Sequence, residues 1–187
     1  MKPTASDCEP LITEAQIAER MPTLAAEIAA ALPAAALSPG GGLIIVGPLK
    51  GCLVFMADLS RALWKVGVGH DYDFMRLASY AGGTESTGVV RMESDLIHAV
   101  GGRPVLLVDD ICDTGRTLTF ARAHLLARGA ASVTTSVLMD KPSRRVVPMP
   151  VDHVGFTIPD RFVVGYGCDL GEAWRGLPYI GVLKPGG

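Results

Sequence analysis

Three carboxylates crowd one short stretch. In "VLLVDDICDTGRTL" (105–118) an apolar run leads straight into Asp109 and Asp110, Asp113 follows, and Thr114-Gly115-Arg116-Thr117 closes the segment. In open α/β sheets, ligands bind beyond the carboxyl ends of the strands. A helix starting near Arg116 would point its first N–H groups outward, and its dipole would favour an anion there. Gly115 lets a ligand approach the backbone closely, and Thr114 and Thr117 add hydroxyl donors. That half of the segment suits a phosphate. The acids do not, because like charges repel; they suit sugar hydroxyls, or Mg2+ held through water. A phosphorylated ribose carries vicinal hydroxyls and a phosphate at opposite ends, and would satisfy both halves.

An acid pair after a strand is, by itself, commonly a loop start with a helix cap. The hydrophobic run before it and the hydroxyl–glycine turn after it are what point to a ligand. A phospho-accepting receiver domain also ends a strand in acids, but does so at its first strand. Here about a hundred residues come first.

The elements that must position this segment follow from periodicity and breakers. Thr13 precedes Glu14, with Gln16 three residues on, a capping box that predicts a helix to about Leu32, where Pro33 and "SPGGG" end it. "LIIVG" (43–47) reads as a buried strand, 51–66 as a helix and 73–80 as a strand. "AGGTESTG" (81–88) has the composition of a mobile loop. "VVRM" reads as a short strand, "SDLIHAV" is ambiguous, and 101–104 is a turn. "VLLVD" is the clearest strand, 116–129 a helix ending at Gly129, and 132–140 a strand. Short β-like pieces separated by Pro and Gly fill 141–187. Strands alternating with helices predict an α/β fold, a parallel sheet with helices on both faces. One domain is expected over 1–187, with a core at about 35–140 and a small hood built from about 1–34 and 141–187.

Composition sets the outer limits. The chain has 187 residues, 49% of them hydrophobic, so a sizeable core is available. A net charge of −2 and a pI of about 6.1 argue against a dedicated nucleic-acid binder. Cys8, Cys52, Cys112 and Cys168 form no Cys-x-x-Cys pair and sit near no His at zinc-finger spacing. They read as reduced thiols of a cytoplasmic protein. No basic start leads into an apolar run, and no run reaches the roughly 18 apolar residues of a membrane span. The sequence lacks Asn, hence any N-glycosylation site. His98 and His124 fall on predicted helices without metal-ligand spacing. There is no Walker A loop, no Gly-x-Gly-x-x-Gly and no Gly-x-Ser-x-Gly.

The 105–118 string resembles the phosphoribosyl-pyrophosphate signature of the type I phosphoribosyltransferases. "PLKGCLVFMADLSRAL", "MDKPSRRV" and "VGFTIPDRFVVGYGCDLGEAWRGLPYIGVLKP" are similar to the hypoxanthine-guanine branch of that family, and the likeness runs from about 43 to 184. The resemblance implies transfer of 5-phosphoribosyl from phosphoribosyl pyrophosphate to hypoxanthine or guanine, with Mg2+ holding the diphosphate. It implies a homodimer or homotetramer with neither a nucleic-acid nor a membrane partner.

Residue by residue, the resemblance places Asp109 and Asp110 on the ribose hydroxyls, directly or through Mg2+ and water. Many relatives carry Glu at the first position, one methylene longer. Asp113, Thr114, Gly115, Arg116 and Thr117 match the 5′-phosphate loop, and Asp113 also matches the group that handles the proton near purine N7. Leu49, Lys50 and Gly51 match the pyrophosphate loop, for which the family implies a cis peptide, and Arg175 a basic residue reaching the same group. Lys141 matches the ammonium on the purine 6-oxygen. It has donors only, so a 6-oxo group is accepted and adenine's 6-amino group is not. Phe162 matches a ring stacked on the purine, the Val163 backbone a bond to the ring edge, and Asp169 an acid near Mg2+. Ser79 and Tyr80 match the opening of a lid that excludes water from an oxocarbenium-like transition state. Two alternatives stay open: a xanthine-preferring phosphoribosyltransferase, and a nucleic-acid-binding regulator of the same fold. Asp113 and the negative net charge speak against the second.

Overall fold

The computed structural model describes residues 7–37, 42–79 and 90–184. The chain runs β1 (Cys8–Ile12), α1 (Glu14–Ala31), β2 (Leu43–Leu49), α2 (Leu53–Lys65), β3 (His70–Ser79), β4 (Val90–Ser94), β5 (Pro104–Cys112), α3 (Arg116–Ala127), β6 (Ser132–Asp140), β7 (His153–Thr157), β8 (Val163–Val164) and β9 (Ile180–Leu183). Six strands form one sheet in the order β4-β3-β2-β5-β6-β7, and β1-β9-β8 form a second. The large sheet is parallel except for β4, which pairs antiparallel with β3.

Alternation along the strands decides which helix covers which face. Leu43 and Ile45 of β2, with Leu106 and Val108 of β5, pack with Ile17, Leu24, Phe55, Leu59 and Leu63 of α1 and α2. Ile44 and Val46, with Val105 and Leu107, pack on the other face with Leu118, Ala121 and Leu125 of α3. The expected capping box is present: Thr13 N–H donates to Gln16 Oε1 at 2.8 Å, and Gln16 N–H to Thr13 Oγ1 at 3.2 Å. Gly47 lets α2 sit close on β2, since a Cβ there would lie 2.6 Å from Cys52 Sγ.

Three features depart from the sequence expectations. β5 runs on through the acid pair to Cys112, because β6 keeps pairing with it there: Asp109 faces Val137 and Cys112 faces Asp140. β7 joins the large sheet beside β6, so that sheet continues past the residue-140 boundary expected for the core. His98 lies in an irregular segment rather than a helix, where its backbone N–H donates to Asp73 Oδ2 at 2.7 Å. The 81–88 loop lies outside the described residues. No helix among the described residues is long and apolar enough to cross a membrane.

Candidate active site

The site forms where two neighbouring strands part. β2 and β5 pair only as far as Val46 and Leu107. β2 connects onward to β3 on one side, and β5 to β6 on the other. A crevice opens at such a switch point. Asp109 and Asp110 sit on β5 just past the last pair, Asp109 buried and Asp110 partly so. Asp109, Asp110, Asp113, Thr114, Gly115 and Thr117 line one cavity of about 180 Å³. Arg116 opens α3 beside it and is not among the lining residues.

The turn has a rigid support. Gly115 takes a left-handed φ of 84°, and a Cβ there would lie 2.6 Å from the Val147 carbonyl oxygen. Only glycine meets both demands without strain. The 141–147 segment wraps the outside: Val146 and Val147 N–H both donate to the Thr114 carbonyl, and Lys141 N–H donates to that of Cys112. Arg145 donates to the carbonyls of Cys112 and Asp113 at 3.0 and 2.7 Å and pairs with Asp140. Among the first N–H groups of α3, that of Arg116 reaches only Thr114 Oγ1, at 3.5 Å, and those of Thr117 and Leu118, with no intrahelical acceptor, are available to an anion. Sequence reasoning passed over Arg145; its position two residues past the Lys141-Pro142-Ser143 turn gave no sign that it reaches back to the acid-bearing strand.

Charge in the crevice is unbalanced. Burial, then the neighbouring Asp110 charge, raises the Asp109 carboxyl well above its ordinary range. Burial also raises Asp110, opposed by hydrogen bonds from the Cys168 thiol and from Asp109 and by the Arg175 charge. Such a pair favours a cation or hydroxyl donors. All four cysteines are free and buried. Cys168 Sγ donates to Asp110 Oδ2 at 3.3 Å, and burial pushes the Cys112 thiol up to about 12.

The other expected residues reach the crevice to different degrees. The Leu49–Lys50 peptide is cis. Gly51 presses on the acid pair: a Cβ there would lie 2.7 Å from Asp110 Cγ. Lys141 is 5% exposed, and its Nζ lies 4.0 Å from Asp113 Oδ2. Asp113 also takes Arg144 Nε at 3.3 Å. Arg175 donates to the Gly167 carbonyl at 2.7 Å and pairs with Asp169 at 2.8 Å. Gly167 in turn abuts the Gly51 carbonyl. The acid pair, the turn, Lys141, the 49–51 loop, Asp169 and Arg175 therefore form one connected group. Phe162 stands apart, 58% exposed, beside the buried Val163 of β8. Ser79 ends β3, and Tyr80 lies outside the described residues. Sequence reasoning also missed Glu172, which contacts both Lys50 and Arg175. The signal was available in the spacing of Asp169, Glu172 and Arg175, charged residues three apart.

A mainly parallel sheet whose central strand carries an acid pair near its carboxyl end, followed by a hydroxyl–glycine turn into a helix, defines a phosphoribosyl-transfer domain. The chain matches the phosphoribosyl transferase domain model over residues 16–170 and belongs to that family. The hypoxanthine phosphoribosyltransferase of Escherichia coli is 43% identical over 173 residues, covering 92% of this chain and 93% of that protein. The hypoxanthine-guanine phosphoribosyltransferase of Streptococcus pneumoniae is 49% identical over 141 residues, 75% of this chain and 77% of that one. Among solved structures, a Staphylococcus aureus hypoxanthine phosphoribosyltransferase superposes with a TM-score of 0.86 at 40% identity, covering 96% and 94% of the two chains. A Trypanosoma cruzi hypoxanthine phosphoribosyltransferase variant complexed with the product IMP gives 0.89 at 37% identity, covering 98% and 94%.

Proposed function

We propose that the protein is a purine-salvage transferase. It moves 5-phosphoribosyl from phosphoribosyl pyrophosphate to hypoxanthine or guanine and releases pyrophosphate. The observation that carries this is the single cavity shared by the acid pair and the 113–117 turn, with Lys141 4.0 Å from Asp113. The turn anchors the 5′-phosphate through Asp113–Thr117, including Arg116, and spends that binding energy on orienting ribose C1. Asp109 and Asp110 accept from the ribose hydroxyls. The base enters between Phe162, which stacks on it, and Lys141, which donates to its 6-oxygen, while the Val163 backbone meets the ring edge. Asp113 takes the proton at N7 as displacement at C1 proceeds with inversion. Lys50, Gly51 and Arg175 receive the departing diphosphate. Ser79 and Tyr80 lead into the lid.

The donor set fits Mg2+. Two adjacent carboxylates with raised pKa values gain from a nearby cation, and Mg2+ commonly takes one or two carboxylates plus substrate phosphates. Among the described residues no three His, Cys, Asp or Glu side chains form a ready-made cage. Asp109, Asp110 and Asp169 would hold the ion together with the diphosphate, directly or through water. When bound it neutralises charge building on the leaving group.

A cytoplasmic homodimer or homotetramer fits the four free thiols and the exposed Trp64 and Tyr72 side chains. The test is a panel: purified protein, phosphoribosyl pyrophosphate and Mg2+ with hypoxanthine, guanine, xanthine, adenine or uracil. IMP and GMP should form fastest. Absence of any nucleotide, or a preference for adenine, would overturn the reading; a preference for xanthine would move the protein to that neighbouring activity.

A further inference from the structure

Lys50 and Arg175 reach the same carboxylate. Glu172 Oε2 accepts from Lys50 Nζ at 2.8 Å and lies 3.6 Å from Arg175 Nη2. The backbone holds it there. Glu172 N–H donates to Asp169 Oδ2 at 2.8 Å, and Leu170 and Ala173 exchange backbone hydrogen bonds across the bend. Glu172 itself adopts a φ of 70°, a left-handed conformation that a residue with a Cβ rarely takes. The bend fixes where the side chain starts, yet the carboxylate is 64% exposed and can swing into water without desolvation.

We infer that Glu172 is a built-in competitor for diphosphate: in the empty site it engages the two cations proposed to hold that group, and it must let go before the group binds fully. This rests on the diphosphate role proposed for Lys50 and Arg175. A diphosphate carries several negative charges, so it and the Glu172 carboxylate repel each other when both crowd one ammonium and one guanidinium. Glu172 therefore weakens diphosphate binding and hastens its release. Arg175 amplifies the effect, because its other terminal nitrogen is held by the Gly167 carbonyl and Nη2 is shared with Asp169. Its buried Nε has no hydrogen-bond partner among the described residues, so the terminal nitrogens alone orient the guanidinium.

The test is calorimetric titration with pyrophosphate and Mg2+. Glu172→Gln keeps the shape and removes the charge. It should bind pyrophosphate about two- to fivefold more tightly than the parent, the scale of a half-exposed ion pair. Glu172→Ala should tighten it at least as much. Lys50→Met should weaken binding, and adding Glu172→Gln to it should give a smaller gain than in the parent, which reports the coupling. Unchanged or weaker binding in both Glu172 variants, with Lys50→Met weakened, would overturn the competitor alone. Pyrophosphate affinity untouched by Lys50→Met would overturn the diphosphate site itself, and the competitor with it.

Discussion

Gly51→Ala isolates the contact between the 49–51 loop and the acid pair. A Cβ at position 51 would lie 2.7 Å from Asp110 Cγ and closer still to Oδ2, whereas ordinary contact begins at 3.4 Å. Either the carboxyl retreats by more than half an ångström or the loop does. Retreat of Asp110 moves it off the ribose hydroxyl proposed for it and off Cys168 Sγ, 3.3 Å away. Retreat of the loop shifts Lys50. A hydrogen bond to a charged group contributes about 1.5–3 kcal/mol, so kcat/KM for phosphoribosyl pyrophosphate should fall about ten- to a hundredfold. The KM for hypoxanthine should hold, because Lys141 and Phe162 stand on other segments. Initial rates with each substrate varied in turn separate the two effects. Overpacking should also lower the melting temperature by several degrees. Gly69→Ala is the control: a Cβ there meets only Trp64, at 3.9 Å, and should change neither quantity. Full efficiency toward phosphoribosyl pyrophosphate in folded Gly51→Ala would refute the coupling of loop and acid pair.

Three further outcomes are expected. Asp113→Asn should cut kcat by about 10²–10⁴ with little change in KM for phosphoribosyl pyrophosphate; equal loss in both would remove the proton role. Lys141→Gln, at a site 5% exposed, should lower the hypoxanthine-to-adenine ratio of kcat/KM at least about tenfold; an unchanged ratio would take Lys141 out of the base pocket. Asp109→Asn should stabilise the ligand-free protein at pH 7 by about 1–3 kcal/mol. The folded-state pKa of Asp109 lies above its unfolded value of 3.8, so the stability it contributes is fully present below that value and lost as pH rises through the folded one. Thermal melts should show the variant's advantage at pH 7 fading toward pH 4; an advantage constant with pH would contradict the burial of that charge.

The main elements were legible because their local signals agree with their tertiary roles. Thr13 and Gln16 cap α1 as their spacing requires, and the unbroken apolar runs of β2 and β5 mark strands covered on both faces. The end of β5 was not legible: acids read as a loop, and only pairing with β6 keeps Ile111 and Cys112 in the strand. β7 was hidden by its half-buried, Gly-containing sequence. Gly155 is needed because a Cβ there would lie 2.5 Å from the Leu138 carbonyl oxygen, a contact visible only once the sheet is assembled. Within the site, Asp109, Asp110, Asp113, Thr114, Gly115 and Thr117, which share one cavity, were readable from spacing. Arg145 and Cys168 were not, because each acts on a partner 32 or 58 positions away; Glu172 left a local signal in its spacing from Asp169 and Arg175, but none of its contact with Lys50, 122 positions away.

A crystal structure of the protein with phosphoribosyl pyrophosphate and Mg2+ tests the central claim most directly. The 5′-phosphate should lie in the 113–117 turn against the N-terminus of α3, with both ribose hydroxyls on the Asp109–Asp110 side. A phosphate bound elsewhere, or a ribose turned away from those two carboxylates, would contradict the account.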